Sequence, residues 1–98
     1  MDQAGFEMKA DEILDVASIG LAQRAELRDQ PNGERSAARA ADILSAWLGK
    51  EVTEAEVWMT LMAVKLSRSV QGKFHADDYI DLAGYAALLG ECEANNSE

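Results

Sequence analysis

Apolar residues recur at three- and four-residue spacing in four stretches of the chain, the spacing that places them on one face of an α-helix. The first stretch runs from about Lys9 to Arg28 and aligns Ile13, Val16, Ala17, Gly20, Leu21 and Ala25. It stops before Asp29-Gln30-Pro31-Asn32-Gly33, where the only proline and an Asn-Gly pair demand a turn. The second begins near Glu34 or Ser36, puts Ala40, Ile43, Leu44, Trp47 and Leu48 on one face, and meets a suitable C-terminal cap in Gly49. Thr53-Glu54-Ala55-Glu56 has the form of a capping box and opens the third stretch, which carries Val57, Trp58, Met59, Leu61, Met62, Val64, Leu66 and Val70. Being apolar nearly all round, this helix is expected at the centre of the molecule. The fourth runs from about Ala76 or Asp77 to Gly90, with Ile80, Leu82, Ala83, Ala87 and Leu88 as its apolar positions and Gly84 allowing a close helix contact. No strand-like alternation and no internal repeat interrupts the pattern. The expectation is an all-α fold, a small antiparallel bundle of about four helices, with residues 1–92 as a single helical domain and 93–98 as a mobile acidic tail.

Composition narrows this further. Ninety-eight residues, 48% hydrophobic and 28% charged, suit one globular domain, and no apolar run approaches the ~18 residues of a membrane span. The start of the chain has neither a basic nor a long apolar segment, so the expected setting is the cytoplasm. One cysteine, Cys92, and one histidine, His75, cannot build a Cys/His metal cluster or an internal disulfide. Cys92, near the end of the last helix among acids, is expected to be unreactive, and His75 is expected at a turn as a cap or surface residue.

Eighteen acids against nine bases give a net charge of −9, which disfavours direct contact with nucleic acid and favours a basic protein partner. The acids gather at the ends. Residues 1–16 hold five acids against Lys9, and residues 74–98 hold six with no Lys or Arg, while the middle is nearly neutral. Glu7, Asp11, Glu12 and Asp15 at the start, with Asp77, Asp78 and Asp81 near the last turn, are therefore the candidate partner-binding residues. They would form one negative patch if the ends meet, or ordinary solvated helix faces if they do not.

Residues at one level of an antiparallel helical hairpin have numbers of constant sum. Across the last turn Arg68 with Asp78, and Lys65 with Asp81, share a sum and predict two ion pairs. Across the first turn Arg28 with Arg35, and Arg24 with Arg39, share another. Those four guanidinium groups read either as an anion site for a phosphate or acidic partner, or as a local lattice with Glu26, Asp29, Glu34 and Asp42.

The run Gly33-Glu34-Arg35-Ser36, then Leu48-Gly49, Val52-Thr53, Lys65-x-x-Arg68, His75-x-Asp77-Asp78 and Asp81-x-Ala83-Gly84-Tyr85-Ala86-Ala87-Leu88 resembles a family of short phage and prophage proteins of unknown function, over about residues 21–91. The last two helices also resemble the all-α nucleotide pyrophosphohydrolases of the MazG and dUTPase type. That resemblance implies Mg²⁺ held by Asp78 and Asp81 against a nucleotide, with Arg35, Lys65 and Arg68 on its phosphates. The Asp78-Tyr79-Ile80-Asp81 segment matches the second metal motif with Asp in place of Glu, and the first motif is absent.

Three functions follow as expectations. The first is a phage-encoded acidic protein that inhibits a nucleic-acid-handling or defence complex of the host, such as a CRISPR effector, by occluding its basic surface as anti-CRISPR and DNA-mimicking proteins do. It needs no cofactor and no catalytic residue. The second is a degenerate nucleotide pyrophosphohydrolase or nucleotide-binding protein, the one reading that calls for Mg²⁺. The third is a structural or assembly subunit, such as a homodimer formed through exposed apolar side chains.

Overall fold

The computed structural model describes residues 8–27 and 36–96. Four helices account for most of them: α1 (Ala10–Leu27), α2 (Ser36–Leu48), α3 (Glu54–Ser69) and α4 (Ala76–Asn96), with no strand among the described residues. The fold is all-α. Glu7, Arg28 and Arg35, together with residues 97–98 of the predicted tail, lie outside the described residues.

Local chemistry explains the boundaries. Thr53 caps α3 through the reciprocal box expected from sequence, its hydroxyl accepting from the Glu56 N–H at 3.1 Å while the Glu56 carboxylate accepts from the Thr53 N–H at 2.9 Å. Gly49 follows α2 with φ +70°, a conformation a Cβ would strain. At the first helix the half-box is completed by Lys9, whose backbone N–H donates to Glu12 Oε1 at 2.8 Å. Ser45 joins α2 to the following segment: its hydroxyl donates to the Ala41 carbonyl and accepts from the Val52 N–H, both at 2.8 Å.

The helices pack in an order that differs from their order in the chain. α3 and α4 form the central antiparallel hairpin, α1 packs on α4, and α2 packs on α3; α1 and α2 do not pack on each other. The core comprises Ala37, Ala41, Val57, Trp58, Leu88 and Cys92. Trp58 sits 5.8 Å from the Tyr85 ring and donates its indole N–H to Glu54 Oε2 at 3.3 Å. On α1 only Ala17 is fully buried, with Ile13, Gly20, Leu21 and Ala25 half-buried beside it and Val16 turned out.

Three expectations are corrected. The buried face of α2 is built on Ala37 and Ala41, while Ile43, Trp47 and Leu48 are exposed, Trp47 by 78%. The two alanines let the helix backbone approach closely, which rotates the larger side chains outward. α4 continues past Gly90 to Asn96, because Leu88 and Cys92 are four residues apart, both buried, and carry the apolar face across that glycine. Residues 93–96, expected in the tail, are therefore part of the helix. Finally, α3 is not enclosed: Met59, Val64, Leu66 and Val70 are 43–80% exposed.

Candidate functional site

Two acidic regions and one cationic elbow were expected, and the geometry treats them differently. On α1 the sequence places Asp11, Glu12 and Asp15 on turns whose inward position is taken by Ala17 and Ile13, and all three acids are exposed. Asp11 and Glu12 also stabilise their own helix: acids in a first turn oppose the positive end of the helix dipole, and Asp11 Oδ1 accepts from the Glu12 N–H at 3.1 Å. Asp15, one turn further on, has no such local role and projects a free negative charge.

At the start of α4 the three aspartates separate. Asp77 is exposed. Asp78 is buried, at 8% exposure, and its backbone N–H donates to the His75 carbonyl at 3.1 Å to close the first turn. Asp81 forms an ion pair with Lys65 at 2.8 Å, with both side chains less than a quarter exposed. Hydrogen bonding to Asp81 raises the Lys65 pKa above its ordinary 10.5, against the opposing cost of burial. One of the two ion pairs predicted by equal level is thus present. Arg68 is exposed while Asp78 is buried, so the second is not formed. Equal level fixes height along a hairpin but not the face from which a side chain leaves.

The same limit governs the arginines. Arg24 and Arg39 are exposed on helices that do not pack together, so no shared level brings them face to face. A Cβ built on Gly84 would lie 3.8 Å from Arg24 Nη2 and from Leu21 Cδ2, which places the Arg24 side chain over α4.

His75 is exposed at the turn, as expected. Cys92, expected near a frayed end, is instead buried; its thiol accepts from Asn96 Nδ2 at 3.6 Å, and burial followed by the nearby Glu54 and Glu93 carboxylates pushes its pKa up. Among the described residues no group of three or more His, Cys, Asp or Glu is placed to hold a metal ion, and no helix is long and apolar enough to cross a membrane.

Sequence reasoning missed one feature. A shallow hollow of about 430 Å³ opens between the end of α2 and the start of α3, lined by Leu44, Leu48, Val52 and Met59 with Lys50, Glu51 and Glu56 at its edges. From Met59 the exposed apolar row continues along α3 through Ala63, Leu66 and Val70. The signal was visible as a 4-3-4 spacing, yet on a helix apolar all round it was indistinguishable from burial.

Residues 12–93 match the model of a family described as a domain of unknown function, DUF6378, and the chain belongs to that family. No curated protein and no solved structure matches the chain.

Proposed function

We propose that this member of the family is a small acidic binding module that covers a basic surface on a nucleic-acid-handling or defence complex of a phage's host, in the manner of anti-CRISPR and other DNA-mimicking inhibitors. The observation that carries the reading is the outward face of α1, where Asp11, Glu12 and Asp15 stand exposed on a molecule of net charge −9. A surface of that sign steers toward Lys- and Arg-lined grooves and repels nucleic acid. Asp77 contributes from α4. Asp78 and Asp81 contribute less than the sequence suggested, being buried and paired with Lys65 respectively.

The nucleotide reading has weaker support. Mg²⁺ calls for several oxygen ligands in near-octahedral geometry, whereas Asp81 is engaged by a lysine and Asp78 is buried. The assembly reading is favoured by the exposed apolar row on α3, and it does not exclude the first.

The test is capture of a host nucleic-acid-binding complex by the tagged protein, competed with duplex DNA and repeated at about 0.5 M salt, where the screening length falls to roughly 4 Å. Capture lost to DNA and to salt is the expected result. The variant Asp15→Lys, which leaves the first-turn acids in place, should slow association severalfold at low salt with an unchanged helical circular-dichroism signal. Glu12 is left in place because it caps the helix. Association unaffected by the charge reversal would refute the proposal.

A further inference from the structure

We propose that the outer face of α3 is the contact between two copies of this chain, paired antiparallel about a two-fold axis that passes between Ala63 and Leu66. The inference uses no part of the acidic-surface reading.

The face is a heptad seam. Met59, Ala63, Leu66 and Val70 follow one another at spacings of four, three and four, the a/d pattern by which one helix packs along another. None of them is covered: Met59 is 48%, Leu66 56% and Val70 80% exposed, and Ala63 is exposed as well. The flanking positions are Thr60, Met62, Ser67 and Ser69, so from Met59 to Ser69 the seam and both flanks hold no charged side chain.

That neutrality points to a second copy. In a chain of net charge −9, most surfaces would bring like charges together on self-association. The exposed apolar residues of α1 share their helix surface with Asp11, Glu12, Asp15 and Glu26, and those of α2 lie beside Arg39 and Asp42. The α3 seam is where two copies can meet without opposing carboxylates, charge entering only at the rim of the adjoining hollow, where Lys50, Glu51 and Glu56 stand.

The face is also complementary to itself. Antiparallel pairing sets Ala63 opposite Leu66 of the second copy, small against large, and Met59 opposite Val70. The most exposed knob, Val70 at the C-terminal end of α3, then reaches the hollow beside Leu48 and Met59 at the N-terminal end of the other α3. A two-fold operation makes this match twice, as an isologous interface requires. Side chains of this size present on the order of 100 Å² each, so Leu48, Met59, Leu66 and Val70 with the rims of Leu44 and Met62 supply roughly 500 Å² of apolar surface per copy. A homodimer burying ~800 Å² on each partner, about two-thirds of it apolar, needs that amount.

Sedimentation equilibrium of the full chain over a micromolar range decides it. The expected mass is twice 10.6 kDa, unchanged at high salt, in contrast to the salt-sensitive docking proposed for α1. Leu66→Glu and Ala63→Lys each place a charge in the seam on an exposed position and should weaken pairing by about a hundredfold, with circular dichroism verifying the fold. Mixed one to one, these two variants should form a heterodimer, because residue 63 of one copy faces residue 66 of the other. A mass of 10.6 kDa at every concentration overturns the proposal. So does a dimer that withstands Leu66→Glu but dissolves on Trp47→Glu, which would move the interface to α2.

Discussion

Burial of Cys92 raises its thiol pKa, first by desolvation and then through the Glu54 and Glu93 carboxylates, and the hydrogen bond to Asp81 raises that of Lys65. Both shifts have the same sign for stability. A group whose pKa is higher folded than unfolded contributes its full stabilisation below the unfolded pKa and loses it as pH rises through the folded value. Stability should therefore hold near neutrality and fall above about pH 9, beginning with Cys92, as denaturant midpoints measured from pH 7 to 11 would reveal. The same burial predicts that a thiol reagent modifies the native protein at least about tenfold more slowly than the urea-unfolded chain. Much of the residue-level picture was legible in the sequence: the Thr53 cap, the Gly49 turn, the Lys65–Asp81 pair. Asp78 was not, because its burial depends on how α4 is seated among its neighbours, and no spacing along one helix encodes that.

The helices themselves were legible from their apolar periods, and the errors lie in which part of a helix faces inward. On α2 the large side chains suggested one face and two alanines determined another, since close backbone approach favours the small residues. On α4 the glycine at position 90 looked like an end and is an exposed interior position with open space where a Cβ would stand. Gly90→Ala should accordingly stabilise the protein by about 0.5–1 kcal/mol, read as a rise of roughly 4 °C in Tm. Gly49→Ala, at φ +70°, should act in the opposite direction by a similar amount. Equal effects at the two positions would mean that local helix energetics do not control either site.

At the scale of the whole molecule, the α3–α4 hairpin is the hub, and the outer helices each lean on one partner. Neither is anchored deeply: α1 buries Ala17, and α2 buries Ala37 and Ala41. Native-state hydrogen exchange should find the slowest amides in α3 and α4 around Trp58 and Leu88, and markedly faster exchange along α1 and α2, which open without global unfolding. Uniform protection across all four helices would contradict this hierarchy. The apolar faces left over by so small a core were not legible from composition, because the 48% hydrophobic content is the same whether it is buried or displayed.

The pairing of the first helix with the last also has a temporal side. During synthesis α1 emerges with its partner still unmade, and neither α2 nor α3 packs against it. It must remain undocked in the wake of the ribosome until α4 has cleared the exit tunnel, so the first helix made is the last to be seated.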